Sequence, residues 1–203
     1  MELHKIVGFL DVNIYFLVNN EQKTAVIIDC GTDAKIVNKK ASELGVKISH
    51  LLLTHSHYDH SGCAGELQRQ GVKVYVSEND ALKLNNSDNL AYCFNKEFDS
   101  FTPDGVLYDD QVLELNEISI KVKSTPGHTD GSVSFVVDNF IFSGDTLFYN
   151  SVGRTDFPTG DFNQLKNSVL NLYALDGDFV VYAGHGRSTT LENERKYNSF
   201  VKL

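Results

Sequence analysis

Three histidines and one aspartate fall within residues 55–60, in the order H-S-H-Y-D-H. Side chains two residues apart leave the same side of an extended backbone, so His55 and His57 can converge on one cation. Asp59 and His60 follow at once, and a turn there would direct them towards a second point nearby. A motif this specific constrains the fold, because the rest of the chain must supply the remaining ligands of a metal site. The alternative is a histidine-rich polar surface loop.

The residues on either side of this motif predict a strand that leads into a helix. Residues 49–54 form a short apolar run, which is typical of a buried strand. A helix is predicted to begin at Ser61, whose hydroxyl is placed to cap it. The motif therefore occupies a strand-to-helix loop, where α/β proteins commonly carry their chemistry.

Three further candidate ligands stand at the ends of predicted strands. His128 follows a proline and a glycine, Asp145 follows a glycine, and His185 lies between two glycines. Glycine lets the backbone approach a site closely. Taken singly, each residue fits a turn aspartate or a structural histidine. Their joint placement predicts that they complete the metal site.

Four motifs together resemble the metallo-β-lactamase superfamily, and more narrowly its glyoxalase II-like hydrolases. In chain order they are T-H-S-H-Y-D-H (54–60), P-G-H-T (126–129), S-G-D-T (143–146) and G-H-G (184–186). Two further segments, V-G-R-T-D-F (152–157) and T-T-L-E-N-E-R (189–195), resemble the short, single-domain members of that group. Asp145 stands where one β-lactamase subclass has a metal-binding cysteine, so the chain departs from that subclass.

The resemblance implies an α/β protein with a four-layer αββα sandwich, formed by residues 1–203 as one metallo-β-lactamase-fold domain. It also implies two divalent metal ions, for which imidazole and carboxylate ligands favour zinc, with iron or manganese as alternatives. Asp59 and Asp145 would be the catalytic residues around a metal-bridging hydroxide, with Asp145 as the bridging ligand. The first ion would be held by His55, His57 and His128, and the second by Asp59, His60 and His185.

Three reactions compete under this resemblance. The first is hydrolysis of a thioester, S-lactoylglutathione or a related compound. Typical glyoxalase II enzymes append a helical domain that binds glutathione, and the chain ends at Leu203 without one, so a less demanding thioester is expected. The second is persulfide oxidation at a single iron, because persulfide dioxygenases share the G-R-T-D-F signature. The third is hydrolysis of a lactone or lactam, which Phe148 disfavours because quorum-type lactonases have a tyrosine there.

Two residues near the motifs are candidates for binding the substrate. Arg154 could bind a carboxylate through two N–H groups, or it could pair with Asp156 instead. Tyr58 could line the pocket or pack internally. For Asp29, the resemblance implies that it orients metal-binding histidines, and a plain turn aspartate is the alternative.

The composition describes an ordinary globular chain and excludes some partners. Hydrophobic residues make up 41% of the 203 residues and charged residues 22%, enough to build a sizeable core. The 18 basic and 27 acidic residues give a net charge of −9. Since phosphate contacts dominate nucleic-acid affinity, this balance argues against DNA or RNA, and the expected partner is a small-molecule thioester. Nothing in the sequence indicates the oligomeric state.

Neither a signal-peptide core nor an apolar run of membrane length is evident, which predicts a cytoplasmic protein that does not bind membranes. The cysteines are odd in number and lack paired metal spacing, which fits a reducing compartment. Of the three cysteines, Cys30, Cys63 and Cys93, the first two lie near the predicted site by sequence and are interpreted as small buried or partly buried thiols.

Hydrophobic periodicity predicts two related halves of strands and helices. The first half has predicted strands at 13–18, 25–29, 49–54 and 73–76, with helices at 33–44 and from 61. Residues 78–104 are irregular apart from a helical stretch at 80–84, and they fit either an insertion near the site mouth or a surface loop. The second half has predicted strands at 111–115, 119–123, 132–138, 139–143 and 179–183, with helices at 161–173 and from 192.

Overall fold

The computed structural model describes residues 1–202, whose strands form two six-stranded sheets and one separate hairpin. The first sheet contains, side by side in chain order, β1 (Glu2–Val7), β2 (Asn13–Asn19), β3 (Thr24–Ile28), β4 (Lys47–Leu52), β5 (Lys73–Ser77) and β6 (Gly105–Leu107). The second contains β7 (Val112–Leu115), β8 (Ile118–Ser124), β9 (Val133–Val137), β10 (Phe140–Gly144), β13 (Val180–Ala183) and β14 (Thr189–Thr190), in the order β14-β13-β10-β9-β8-β7. The hairpin consists of β11 (Leu147–Phe148) and β12 (Ser151–Val152).

Six α-helices accompany these strands within the described residues. They are α1 (Ala34–Leu44), α2 (Tyr58–Ser61), α3 (Ala64–Arg69), α4 (Glu78–Lys83), α5 (Phe162–Tyr173) and α6 (Leu191–Tyr197). Short 3-10 turns lie at Phe9–Asp11, Ser87–Asn89 and Ala91–Phe94. None of the helices within residues 1–202 has the length and apolar character needed to cross a membrane.

Three apolar clusters hold the elements together in four layers. In the first cluster, Val37 of α1 and Leu67 of α3 pack against one face of the first sheet. The second lies between the two sheets, where Leu17 and Phe135 are buried together. In the third, Val169 of α5 packs with residues of the second sheet and of α6. The predicted α/β fold, a four-layer αββα sandwich, is confirmed.

The burial of each strand follows its place in these layers. Strand β2 is covered by a helical layer on one face and by the second sheet on the other, and all but its last residue are buried. A continuous apolar run is the pattern expected for such a strand. Strand β8 alternates instead, because Ile118, Ile120 and Val122 are buried while Ser119 and Lys121 are exposed.

The predicted strands and helices are confirmed to within one or two residues at each end, with one exception. The predicted start of a helix at Ser61 is wrong, because Ser61 is the last residue of α2 and α3 begins at Ala64. The Ser61 hydroxyl donates instead to the carbonyl oxygens of Ser56 and His57, at 2.8 and 3.0 Å. Ser61 does not cap a helix because the histidine motif itself forms one, α2, which already includes Ser61.

Strands β1, β6 and β14 and the β11–β12 hairpin were not predicted from the sequence. Strands β1, β6 and β14 are edge strands of their sheets, so each has a hydrogen-bonded neighbour on one side only and a short apolar run. Strand β1 reads E-L-H-K-I-V and has no fully buried residue, so periodicity gives little signal there.

Candidate metal centre

The seven candidate ligands gather where strands of both sheets end. Residues 55–60 follow β4, His128 lies between β8 and β9, Asp145 follows β10 and His185 follows β13. Parallel pairing of β10 with β13 brings Asp145 and His185 to the same edge of the second sheet. Three overlapping groups of donor atoms result: His55, His57 and His128; His55, His60 and Asp145; and Asp59, His60 and His185.

One group consists only of histidines. The candidate donor atoms of His55, His57 and His128 lie within 4.8 Å of one another. Within this group, His57 Nδ1 and His128 Nε2 are 3.0 Å apart. All three side chains are buried. Three imidazoles at this spacing can surround a single cation.

The group of Asp59, His60 and His185, called the mixed group below, combines a carboxylate with two histidines. His60 Nε2 lies 3.2 Å from His185 Nε2, and His185 Nε2 lies 3.3 Å from Asp59 Oδ2. His60 is fully buried, whereas the side chain of His185 is 26% exposed and that of Asp59 16% exposed. This group is therefore the part of the centre that solvent or a substrate can reach.

Asp145 lies between the two groups. Its Oδ1 is 3.3 Å from His60 Nε2, and its Oδ2 is 3.6 Å from His128 Nε2 and 3.7 Å from His185 Nε2. One carboxylate thus faces the three-histidine group and the mixed group together. That is the placement required of a ligand shared by two cations.

Asp29 holds two of the histidines from the side away from the centre. It is buried at the end of β3, and its Oδ2 lies 2.8 Å from His60 Nδ1. The Asp29 carboxylate also accepts from the Thr54 backbone N–H at 2.8 Å and from the Thr54 hydroxyl at 2.9 Å. The Thr54 hydroxyl oxygen is 3.1 Å from His55 Nδ1. These contacts favour an orienting role for Asp29 over that of a plain turn aspartate.

Backbone carbonyl groups hold two further histidines. His128 Nδ1 lies 2.7 Å from the carbonyl oxygen of Arg154, and His185 Nδ1 lies 3.1 Å from that of Leu10. A carbonyl oxygen can only accept, so each Nδ1 carries a proton and each neutral ring presents the Nε2 lone pair to the centre. The carboxylate partner of His60 fixes that ring in the same way.

Nitrogen lone pairs of the neutral rings then face one another across the centre. This arrangement is repulsive unless a cation lies between them. In their neutral forms, His60 and His185 direct Nε2 lone pairs at each other over 3.2 Å. His55 Nε2 and Asp145 Oδ1 are buried with no hydrogen-bond partner. Leaving such a group unpaired costs about 1–3 kcal/mol. Imidazole and carboxylate donors without thiolate therefore fit two divalent cations, zinc among them.

The electric field of the centre favours positive charge beside the carboxylates. Burial lowers the pKa of the His60 imidazole, but the carboxylates of Asp145, Asp29 and Asp59 raise it well above its ordinary value. A proton and a cation therefore compete for the same position. Burial, followed by the neighbouring imidazole groups, instead lowers the pKa of His57 to about 3, which keeps it in the neutral form that binds metals.

Two glycines let the backbone approach the candidate ligands. A Cβ atom at Gly31 would lie 1.3 Å from the Asp59 carbonyl oxygen, and one at Gly184 would lie 2.3 Å from Asp145 Oδ1. No side chain fits at either distance. The glycine before His185 is thus explained by close approach, as its sequence context suggested.

Of the two candidate substrate-binding residues, Arg154 reaches a candidate ligand through Phe157, whereas Tyr58 lines a cleft that none of the seven candidate ligands lines. Arg154 Nε and Nη2 donate to the two Asp156 oxygens, each at 2.6 Å, and the guanidinium stacks 4.0 Å from the Phe157 ring centroid. Phe157 in turn contacts the ring of His57 edge-on. Tyr58 lines a cleft of about 510 Å³ together with Phe9 and packs edge-on against it.

Three features of the chain around the candidate ligands are not evident in the sequence. The carbonyl oxygen of Leu10 belongs to the backbone and gives no side-chain signal. Arg187 stacks 3.5 Å from the Tyr149 ring centroid, and no carboxylate within residues 1–202 forms an ion pair with it. Its position two residues after His185 was the available signal. The third is Asp80, an aspartate that the sequence showed only as part of a short helical stretch.

Comparison with known proteins places the chain in a family. The family model of the metallo-beta-lactamase superfamily matches residues 7–185. The chain is 35% identical, over 192 residues, to hydroxyacylglutathione hydrolase GloC of Haemophilus influenzae, an alignment that covers 91% of each chain. Other relatives that match over most of the chain carry the description of probable metallo-hydrolases.

Two solved structures share the whole fold. The crystal structure of BLEG-1, a B3 metallo-beta-lactamase, superposes with a TM-score of 0.92 at 30% identity and full coverage of both chains. That of TTHA1623 in a di-iron-bound form superposes with a TM-score of 0.87 at 30% identity, covering 99% of this chain and all of the other. The two candidate cation groups thus lie in a fold whose solved members include a di-iron protein. The chain belongs to the metallo-beta-lactamase superfamily of metal-dependent hydrolases.

Proposed function

We propose that this protein hydrolyses thioesters, with S-lactoylglutathione or a related acylated thiol as substrate and two divalent cations as cofactors. The observation that carries the proposal is the position of Asp145, whose carboxylate lies 3.3–3.7 Å from histidines of both groups of candidate ligands. The similarity to GloC, named as a hydroxyacylglutathione hydrolase, supports this choice of substrate class. Zinc is the proposed metal, with iron or manganese as alternatives.

The proposed ligands are those of the sequence prediction. His55, His57 and His128 would hold one cation, Asp59, His60 and His185 the other, and Asp145 both. When bound, such cations polarise a carbonyl group and lower the pKa of a water molecule from about 16 towards about 7. The protein's own part is to fix the donors: Asp29 holds His60, and backbone carbonyl groups hold His128 and His185.

Asp59 and Asp145 are the proposed catalytic residues, because their carboxylates border the exposed side of the centre. Burial raises the pKa of the Asp59 carboxyl, but its electrostatic interactions with His60 and His185 lower it below its usual value. Asp59 is thus ionised at neutral pH and can accept a proton from the attacking water, and that proton is then available to the departing thiolate. No serine or cysteine nucleophile is needed in this scheme.

The test compares two reactions in the same zinc- or iron-loaded protein. Loss of thioester absorbance with S-lactoylglutathione reports hydrolysis, and oxygen uptake with a glutathione persulfide reports the competing dioxygenase reaction. We expect thioester loss without oxygen uptake, and no activity in either assay for Asp145→Ala. Oxygen uptake by a protein that holds a single iron would overturn the proposal in favour of the dioxygenase. Absence of thioester loss in a fully loaded sample would also overturn it.

Recognition of an anionic thioester is proposed to rest on Arg154, with Tyr58 contacting the substrate from its cleft. Asp156 already neutralises part of the Arg154 charge through two hydrogen bonds. Arg187, on the segment that follows His185, stacks on the Tyr149 ring and has no ion-pair partner among residues 1–202. The two arginines thus offer a matched comparison.

Arg154→Ala is expected to raise KM for anionic thioesters about two- to fivefold, the range of exposed ion pairs, and to leave cation content unchanged. Arg187→Ala is expected to raise KM at least as much, because no carboxylate in the described part of the chain competes for that guanidinium. Steady-state kinetics on a charged and a neutral thioester measure both effects. If Arg154→Ala slows the two substrates equally, Arg154 has a structural role through Phe157 and Asp156 instead.

A further inference from the structure

Asp80, the third residue of α4, lies between two loops. These loops carry the three-histidine group of His55, His57 and His128. The carboxylate of Asp80 is fully buried. Its Oδ2 accepts from the backbone N–H of Ser56 at 2.9 Å and from the hydroxyl of Thr129 at 3.0 Å. Ser56 separates His55 from His57, and Thr129 follows His128. A single oxygen atom therefore joins both loops next to all three histidines.

The other oxygen of Asp80 is held from α4 itself. Lys83 Nζ donates to Asp80 Oδ1 at 2.7 Å and also contacts Asp130, which is next to Thr129. The Lys83 side chain is only 5% exposed. The loop closes tightly over this pair, since a Cβ atom at Gly131 would lie 2.7 Å from Asp80 Oδ1. A buried charge this enclosed is strongly oriented by its partners.

The two halves of the centre thus differ in what orients them. Asp29 contacts His60 of the mixed group directly and reaches His55 only through Thr54. Asp80 has no hydrogen bond to any candidate ligand. It fixes instead the backbone from which His57 and His128 extend, and these bring Nδ1 and Nε2 to 3.0 Å.

We propose that Asp80 is a positioning residue for the cation held by His55, His57 and His128, and that it has little effect on the other cation. The inference rests on the proposed two-cation centre. Residues that orient metal ligands from outside contribute about 10–100-fold to metal affinity. Because Asp80 acts on one group only, its replacement should lower the metal affinity of the three-histidine site and leave that of the other site almost unchanged.

The experiment compares two double variants that both lack the buried charges. Asp80→Leu with Lys83→Met removes the acceptor of both loops. Asp80→Asn with Lys83→Met keeps one amide oxygen in a position to accept from Ser56 and Thr129. Buried ion pairs replaced by uncharged side chains of similar volume commonly leave a protein folded, and urea unfolding of the metal-free variants checks this. The pair therefore isolates the acceptor from the charge.

Titration with Co²⁺ alone reports each site. Paramagnetically shifted imidazole N–H signals distinguish an ion with three histidine ligands from one with two. For the leucine double variant we expect about 10–100-fold weaker Co²⁺ binding at the three-histidine site and an affinity within about twofold at the other. The asparagine double variant should regain most of the wild-type affinity.

Equal weakening of both sites would overturn the proposal, and so would equal affinities in the two double variants. Asp130→Asn serves as a control, since it changes an exposed partner of Lys83 and leaves Asp80 in place. Failure of the thioesterase proposal would appear separately, as Co²⁺ binding by a wild-type protein that cleaves no thioester. The Co²⁺ comparison would still decide the role of Asp80.

Discussion

Asp145→Asn is expected to lower turnover of the metal-loaded protein by more than about 100-fold. Residues that merely orient a metal ligand already contribute about 10–100-fold, and Asp145 faces both candidate groups directly. Its carboxylate is buried, which by itself raises the pKa, but the charges of His60, His128 and His185 lower that pKa far below the usual range. Asparagine keeps the shape and removes the negative charge that two cations would share. Initial rates and elemental analysis measure the two consequences.

The matched comparison is His185→Gln, which alters a ligand of one group only. We expect this variant to lose affinity for one cation, whereas Asp145→Asn weakens both. His185 is the most exposed of the histidines at the centre, so its replacement disturbs the fold little. Full cation content and near-normal turnover in Asp145→Asn would show that Asp145 does not bridge.

Removing the cations is expected to destabilise the fold as well as to abolish turnover. If zinc binds only the folded chain, a free zinc concentration of about 100 times the Kd adds about 2.7 kcal/mol to the free energy of unfolding. The metal-free centre also retains buried donor atoms without partners, His55 Nε2 and Asp145 Oδ1. Urea unfolding in zinc and in chelator measures the difference as a shift in midpoint at constant slope.

The difference in urea midpoint between zinc and chelator is expected to be smaller in Asp145→Asn, because a weakened site binds less zinc at the same zinc concentration. Glu66→Gln is a suitable control, since Glu66 lies on α3 and is no member of the donor groups. Equal midpoints in zinc and chelator for the wild-type protein would contradict cation binding by the folded state.

Much of the fold was predictable because the buried strands carry continuous apolar runs. Strands β2, β3 and β4 are covered on both faces, so their sequences identify them without any turn signal. The edge strand β1 escaped prediction because its residues are partly exposed. The hairpin β11–β12 escaped because two-residue strands have no period to detect.

The candidate ligands were predictable for a different reason. Histidine is scarce in this chain, and 5 of its 7 histidines stand in short motifs that the structure brings together. What the sequence could not show is the support around them. Asp80 is one aspartate among many acidic residues, and the carbonyl oxygen that holds His185 belongs to Leu10, 175 residues away. Such contacts depend on tertiary distance alone.

The separation between Leu10 and His185 has a consequence for how the chain reaches its folded state. The backbone of Asn13 also bonds to Gly184, and His57 meets His128 across 71 residues. Contacts of this range form late, since long loops must close before they are made. An ion that needs ligands from both halves therefore meets them only after the halves have docked. We therefore expect the bound ion to slow unfolding of the native protein and to leave the rate of folding unchanged.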